Sequence, residues 1–254
     1  MGNEALTKAL RVLGCFDWKQ PEWSVAELSQ RTGLNKSHVV KILREFVRTQ
    51  YLEQDSKTRR YRVGPNSLSL GSAYLRGSNL LQCSSERLRR IAQDTGQTTT
   101  LSVVDRSGVL FLSRVDGRAG AHPTLSVGSH VPIHATSAGK VCAALLPIAT
   151  VSRFLASTRL EPITPSTIRD PHIFWQQLSE IRRSGFACTF GESTFGVGGI
   201  ATPILGEGQD LVGALSVLFN LHDETARQRR GLVSTMLAAG RQVSFEMGAA
   251  SYPF

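Results

Sequence analysis

Residues 24–48, SVAELSQRTGLNKSHVVKILREFVR, carry the signals for two short helices joined by a tight turn. Ser24 and Glu27 have the spacing of a capping box, in which each side chain accepts a hydrogen bond from the backbone N–H of the other residue. Gly33 suits the left-handed position that ends a helix, and Asn35 is a good N-cap for the next helix. The pattern therefore predicts one helix before Gly33 and a second after Asn35.

The second of these helices has two chemically different faces. Its apolar stripe consists of Val39, Ile42, Leu43, Phe46 and Val47. Its polar side chains include Lys36, Ser37, His38, Lys41 and Arg44. An amphipathic helix of this kind packs the stripe on a core and leaves the polar face free. Two short helices joined by a three- or four-residue turn with glycine are typical of the helix-turn-helix, whose second helix enters the major groove of DNA.

A basic hairpin is predicted directly after the two helices. Residues 51–54 and 60–63 alternate like paired strands around the polar turn at 55–59. A hairpin in this place is the wing of a winged helix-turn-helix. We expect Arg59 and Arg60, at its tip, to contact the narrow, electronegative minor groove, so that Arg60→Ala weakens operator binding without changing base preference.

The polar residues of the second helix are the candidates for contact with double-stranded DNA. Ser37, His38 and Lys41 are expected at base edges in the major groove. Lys36 and Arg44 are expected at phosphates, which the start of a helix also favours. Lys41→Ala should therefore change base preference as well as affinity. The alternative for each side chain is a solvated helix face without DNA contact.

Charge is unevenly distributed along the 254 residues. Residues 1–77 contain 13 Lys and Arg against 7 Asp and Glu, a net charge of +6, whereas the remaining residues contain 16 against 13. The excess of cations at the N-terminal end favours a polyanionic partner, although a solvated basic surface would give the same count.

Membrane, metal and cofactor classes are disfavoured by the sequence. No apolar run approaches the roughly 20 residues that span a bilayer. The N-terminus lacks a signal-peptide pattern, so we expect a cytoplasmic protein with no membrane partner. Cys15, Cys83, Cys142 and Cys188 have no metal-ligand spacing, so neither a metal nor another cofactor is expected.

The rest of the chain mixes helices and strands. A first helix is predicted at 4–17, a break at 64–66 and a connecting helix at 67–77. Further helices are predicted at 80–95, 135–146, 149–156, 171–184 and 224–247, and strands at 98–104, 109–115, 124–127, 186–190, 200–205 and 211–219. This order predicts an α+β domain whose sheet is flanked by helices.

Three stretches together point to a known family. They are residues 24–37, the segment Tyr61-Arg62-Val63-Gly64, and residues 133–140, IHATSAGK. In this order and spacing they make the chain similar, over nearly its whole length, to the isocitrate lyase regulator (IclR) family of bacterial transcription factors.

The resemblance implies an architecture and partners. It implies a winged helix-turn-helix DNA-binding domain at 1–66, a linker helix at 67–79, and an effector-binding domain at 80–254 that is similar to GAF domains, with a mixed or antiparallel sheet. The implied partners are a DNA operator and a small organic acid as effector. The implied assembly is a homodimer, or a tetramer built as a dimer of dimers, that represses or activates nearby catabolic genes.

Ser137, Ala138 and Gly139 lie near the start of a predicted helix. Small residues there leave backbone N–H groups exposed, which makes a ready anion site. The resemblance implies that this stretch binds the carboxylate of the effector. A phosphate-binding loop is disfavoured, because His134 stands where its first glycine belongs and Val141 replaces its Ser or Thr.

Four further effector positions are implied by the resemblance. Members that bind small polar acids tend to have Asp where this chain has Thr189, Cys where it has Gly199, and Ser-x-Ser where it has Ser216-x-Leu218. The loss of a carboxylate and a hydroxyl, with open volume at Gly199, predicts a roomier and less polar pocket. We therefore expect an aromatic or other hydrophobic carboxylic acid.

Other residues near this site have two interpretations. Glu192 lines the pocket mouth or is an exposed loop carboxylate, and His134 is more often a structural hydrogen-bonding group than a ligand-binding one. The glycine run at 196–199 is no dinucleotide fingerprint, because it follows no strand–turn–helix context, so it lets the backbone approach the ligand or make a bend. Family members commonly have Gly where this chain has Arg59, which leaves the turn type of the wing open.

The rival class is an enzyme, or a ligand-binding module without DNA binding. The sequence has no G-x-S-x-G or H-E-x-x-H motif, but a catalytic triad dispersed along the chain would leave no such signature. The capped helices, the wing and the charge asymmetry have no explanation on that interpretation. Within the regulator interpretation, a repressor of a catabolic operon is favoured and an activator is the alternative.

Overall fold

The chain divides into two compact units in the computed structural model. The structure describes residues 4–105, 108–118, 127–157, 159–222 and 226–254. The two units are Met1–Ser78 and Asn79–Phe254. The helix expected as a linker at 67–79 is grouped with the first unit.

The first unit combines helices with a small sheet. Its elements are α1 (Glu4–Leu13), β1 (Glu22–Trp23), α2 (Val25–Thr32), α3 (Lys36–Arg48), β2 (Leu52–Gln54), β3 (Tyr61–Val63) and α4 (Pro65–Gly77). The strands pair antiparallel in the order β1-β3-β2, and β2 and β3 form the wing. The shared core comprises Val12, Leu28, Leu34, Val39, Leu43, Leu52 and Tyr61.

The capping signals of α2 and α3 are confirmed. The Ser24 side chain accepts a hydrogen bond from the Glu27 N–H at 3.3 Å, and Glu27 Oε2 accepts one from the Ser24 N–H at 2.7 Å. Gly33 ends α2 with a φ of 69°. Asn35 Oδ1 accepts from the His38 N–H at 2.9 Å and starts α3. Local side-chain chemistry therefore sets the bounds of both helices.

Three local predictions in this unit are wrong. α1 ends at Leu13 and not at 17. Glu22, where the sequence predicted no strand, pairs with Arg62 in β1, and a two-residue strand is too short to show a sequence period. α4 begins at Pro65, inside the expected break, because the fixed φ and missing N–H of proline suit the first position of a helix.

The second unit is built on one antiparallel sheet. Its elements are α5 (Asn79–Thr95), β4 (Thr98–Asp105), β5 (Gly108–Val115), β6 (His130–Val131), α6 (Ser137–Leu145), α7 (Ile148–Ser157), α8 (Pro171–Ser184), β7 (Ala187–Phe190), β8 (Val197–Leu205), β9 (Leu211–Asn220) and α9 (Ala226–Glu246). The strand order is β6-β5-β4-β9-β8-β7. The predicted α+β class is confirmed.

Two predictions for the second unit cannot be compared in full. The strand expected at 124–127 falls mostly on residues outside the described ranges, and so does the expected start of the last helix at 224. β6 was not expected, and it pairs with β5 through only two residues.

Helices cover both faces of this sheet. α5 and α9 pack on one face, over a core that includes Leu101, Leu215 and Met236. α6 packs on the other face and α8 packs on α6, over a core that includes Phe111 and Phe174. The first turn of α6 is thereby held against the central strands.

The described residues contain no group of three or more His, Cys, Asp or Glu side chains that could hold a metal ion. Within the same ranges, none of the helices has both the length and the apolar character needed to cross a bilayer.

Candidate functional site

The polar face of α3 presents the side chains that were expected to contact DNA. Those side chains, all exposed, are Lys36, Ser37, His38, Lys41 and Arg44. The Ser37 hydroxyl donates to Asn35 Oδ1 at 2.9 Å, which keeps it beside the N-cap. The opposite face of α3 buries Val39 and Leu43 in the core of the unit, so the cationic face points away from that core.

The tip of the wing has a defined turn. The Asp55 carboxylate accepts hydrogen bonds from the N–H groups of Lys57 at 2.9 Å and Thr58 at 2.6 Å. Arg59 follows with a φ of 59°, in the left-handed region that favours glycine, which agrees with the glycine that family members commonly have at this position. Its side chain is exposed. The geometry leaves Arg59 available for contact with a groove.

Arg60 has a different role from the one expected. Its guanidinium donates to Glu27 Oε2 at 2.8 Å and to the backbone carbonyl of Glu22 at 3.0 Å. The Ser24 backbone N–H, with help from this guanidinium, holds the pKa of Glu27 below its usual range. Arg60 therefore fastens the wing to β1 and to the start of α2, so only Arg59 keeps its predicted groove contact.

Arg59→Ala and Arg60→Ala should separate DNA binding from stability. We expect Arg59→Ala to weaken DNA binding and to reduce the slope of log affinity against log salt by about 1, at unchanged thermal stability. Arg60→Ala should lower the free energy of unfolding by about 1 kcal/mol, because the partly buried hydrogen bonds from its guanidinium to Glu27 and to the Glu22 carbonyl are lost. Fluorescence anisotropy on an operator fragment and thermal unfolding measure the two effects. Equal loss of affinity in both variants at unchanged stability would contradict the assignment.

A pocket in the second unit lies between the first turn of α6 and the sheet. Six of the seven expected effector residues line it: Ser137, Ala138, Thr189, Gly199, Ser216 and Leu218. The strand register brings them together, since Gly199 on β8 lies opposite both Thr189 on β7 and Leu218 on β9. The pocket also includes two residues of the glycine run, Val197 and Gly198, and residues that the sequence did not indicate, namely Thr100, Phe111, Ala135, Thr136, Ser193 and Thr194.

Gly139 is the expected effector residue that does not line this pocket. A Cβ at this position would lie 2.3 Å from the Ile133 carbonyl oxygen. Its N–H is also taken, because it donates to Thr136 Oγ1 at 3.1 Å in the cap of α6. Gly139 therefore allows the preceding loop to pack tightly on α6, and its expected role in effector binding is replaced by a structural one.

The expectation of a roomy pocket is also wrong. The cavity volume is about 40 Å³. A Cβ on Gly199 would lie 2.8 Å from Ser137 Oγ, 3.2 Å from Thr189 Oγ1 and 3.3 Å from Leu218 Cδ2. These side chains fill the space that the missing Cβ was expected to open. A ligand of several heavy atoms therefore needs movement of the wall side chains.

A buried ion pair stands beside the pocket. Lys140 Nζ donates to Glu192 Oε2 at 2.6 Å. Burial lowers the pKa of Lys140 and raises the pKa of Glu192, while their mutual attraction opposes both shifts. The hydroxyls of Thr164 and Thr167 donate to the Glu192 carbonyl at 3.2 and 2.7 Å. Glu192 is thus neither an exposed loop carboxylate nor a lining residue, and both earlier interpretations of it are wrong.

His134 and the glycine run have structural roles. His134 is buried, and its Nε2 lies 3.0 Å from the Glu161 carbonyl oxygen, which confirms the structural interpretation. Burial lowers its pKa and favours the neutral ring. Gly196 turns the chain with a φ of 76°, and a Cβ on Gly198 would lie 2.2 Å from the Phe219 ring, so the run serves a bend and a close approach.

Comparison with known proteins covers both units. The family model described as the IclR helix-turn-helix domain matches residues 5–56, and that of the bacterial transcriptional regulator IclR C-terminal region matches residues 72–245. The HTH-type transcriptional regulator BhcR of Paracoccus denitrificans is 30% identical, over 97% of this chain and 88% of its own.

Solved structures show the same architecture. An IclR transcriptional regulator from Silicibacter sp. TM1040 superposes with a TM-score of 0.89 at 29% identity, over 98% of each chain. An IclR homologue from Microbacterium hydrocarbonoxydans, crystallised with 4-hydroxybenzoate, superposes with a TM-score of 0.78 at 25% identity, over 96% of this chain and 99% of that one.

Proposed function

Because the chain belongs to the IclR family of bacterial transcriptional regulators, we propose that it represses a catabolic operon and that a small organic acid, bound by its second unit, changes its affinity for the operator. The family consists of DNA-binding regulators and not of enzymes, so the enzyme alternative is set aside.

The exposed cationic face of α3 carries the proposal for DNA recognition. Ser37, His38 and Lys41 reach base edges in the major groove, while Lys36 and Arg44 bind phosphates. The wing adds a minor-groove contact from Arg59, whose side chain is exposed at its tip.

The proposed assembly is a homodimer, which can pair further into a tetramer. Helix-turn-helix proteins read two half-sites about 34 Å apart, so one module does not suffice for specificity. Within the described part of the chain, α4 contributes no residue to a core, and its Leu68, Leu70 and Tyr74 are exposed. Apolar side chains exposed on one helix support pairing with a second copy of this chain.

The effector binds in the pocket between α6 and the sheet. Its carboxylate accepts hydrogen bonds from the backbone N–H groups of Ser137 and Ala138 in the first turn of α6, where the helix dipole favours an anion. Thr189, Gly199 and Leu218 form the adjoining wall. The effector is an aromatic or other part-apolar carboxylic acid, the class to which the 4-hydroxybenzoate of the Microbacterium homologue belongs.

The sign of regulation depends on where the operator lies. Repression needs only that the bound protein covers the promoter, whereas activation needs a further contact with RNA polymerase. An activator with the same architecture is therefore the second candidate, and a promoter–reporter fusion with and without the protein separates the two. We infer that the protein acts in the bacterial cytoplasm, since a regulator of this kind needs access to chromosomal DNA.

Binding of the purified full-length protein to its own upstream promoter fragment tests the proposal. We expect sequence-selective, salt-sensitive retention, and a change in affinity of about 5- to 150-fold when the effector binds. Absence of selective retention, with or without candidate acids, would contradict the DNA-binding role. Thermal stabilisation by glyoxylate or pyruvate, with none by benzoate or 4-hydroxybenzoate, would contradict the effector class.

A further inference from the structure

Two buried hydroxyls in the ligand pocket have no hydrogen-bond partner in the part of the chain that the structure describes. Thr100 on β4 and Ser216 on β9 line the pocket, and each is 1% exposed. Neither Oγ atom makes a hydrogen bond to another described residue. The two residues lie directly opposite each other in the sheet, so both side chains are on the same face. Buried polar groups are nearly always paired, so two adjacent exceptions in one pocket point to a ligand group.

The strand register separates these hydroxyls from the first turn of α6. Ser137 on that turn lies over the row formed by Thr189, Gly199 and Leu218. Thr100 and Ser216 form a second row across the sheet. Because Ser216 is two residues from Leu218 on the same strand and the same face, the two rows are about 7 Å apart. A ligand that spans both rows therefore meets hydrogen-bonding groups at each end.

The charge of the lining residues decides what the second end of the ligand can be. Among the described residues, the pocket lining includes no Lys, Arg or His side chain. A second carboxylate beside Thr100 and Ser216 would be buried without a counter-ion, which is strongly unfavourable. A neutral hydroxyl can accept from one of these residues and donate to the other.

We propose that Thr100 and Ser216 bind a neutral hydroxyl at the far end of the effector, which makes hydroxylated aromatic monocarboxylic acids its chemical class. The inference rests on the proposed function, since it takes the carboxylate to lie at the start of α6. The ring enters between the two rows as Leu218 and Ser137, the side chains that fill the space at Gly199, move aside.

Calorimetric titration of the full-length protein with benzoate and 4-hydroxybenzoate tests the inference. We expect 4-hydroxybenzoate to bind at least about 10-fold more tightly, because benzoate leaves both hydroxyls unpaired. Thr100→Val and Ser216→Ala should each reduce this preference to about 3-fold or less, whereas Thr100→Ser should retain it. Thermal stability should stay equal or rise in the Val and Ala variants, since no described residue loses a partner.

Ser102→Ala is the matched control. Its hydroxyl is equally buried and unpartnered among the described residues, but it does not line the pocket, so the preference for 4-hydroxybenzoate should be unchanged.

Three outcomes would contradict the inference. If benzoate and 4-hydroxybenzoate bind equally to the wild-type protein, the proposed hydroxyl contact with Thr100 and Ser216 is wrong, while the proposed carboxylic-acid effector stands. If Ser102→Ala removes the preference as fully as Ser216→Ala, the assignment to this pair is wrong. If neither acid binds or alters operator affinity, both the inference and the proposed effector class fail.

Discussion

Replacing Lys140 by methionine is expected to lower the free energy of unfolding by about 3–5 kcal/mol, because it leaves a buried carboxylate without its cation. Lys140 Nζ and Glu192 Oε2 are 2.6 Å apart, and the two side chains are 1% and 8% exposed. Methionine keeps most of the lysine volume, so the loss comes from charge and not from a cavity. Urea unfolding of the full-length protein, followed by circular dichroism, measures the change in the free energy of unfolding.

The loss of stability in Lys140→Met should increase as the pH rises. Burial raises the pKa of Glu192 above its ordinary value of 4.5, and removal of Lys140 takes away the attraction that opposes this rise. The folded variant then prefers the protonated carboxyl. Its stability deficit relative to wild type is small near pH 4.5 and grows as the pH rises toward the raised pKa.

Two double variants provide the controls. Lys140→Met with Glu192→Leu should recover most of the stability, since an apolar pair of similar volume replaces the ion pair at little net cost. Lys140→Met with Glu192→Gln should lose the pH dependence. A Lys140→Met variant as stable as wild type at pH 8 would show that the ion pair does not hold this part of the fold.

Lys41→Ala is expected to lower affinity for the preferred operator by about 10- to 100-fold, the range of one lost base contact. Lys41 is exposed in the middle of α3, one helical turn beyond the capped first residues. Loss of a base contact also relaxes the preference at one operator position. Anisotropy titrations against operators with single base changes measure both effects.

Lys36→Ala is the matched control for Lys41→Ala. It removes the same charge from the same helix, but at a position assigned to phosphate. Its effect should be a uniform loss across sequences, with a salt slope smaller by about 1. The assignment fails if both variants lose affinity uniformly, or if Lys36→Ala is the one that changes base preference.

The DNA-binding unit was largely predictable because its signals are local. Ser24, Gly33 and Asn35 act on backbone groups within a few residues, and the observed caps are those that the sequence indicated. One failure in this unit, the missed strand β1, is non-local. β1 exists only because Glu22 meets Arg62, and nothing near either residue indicates that pairing.

The ligand pocket was predictable only in part. The family resemblance indicated six lining residues, but it could not show that Gly139 faces the Ile133 carbonyl and not the pocket. Thr100 was missed because the sequence of a strand shows only which of its own residues share a face. The residue that lies beside Thr100 on the neighbouring strand, Ser216, is determined by the pairing of β4 with β9.

By itself, the sequence determined the helix caps, the amphipathic faces, the strand alternation and the basic excess of the first unit, because each depends on residues close together in the chain. Only the tertiary structure decided that Arg60 binds Glu27, 33 residues away, and that Lys140 binds Glu192, 52 residues away. Strand order and helix packing create these partners, and residue spacing does not encode either one.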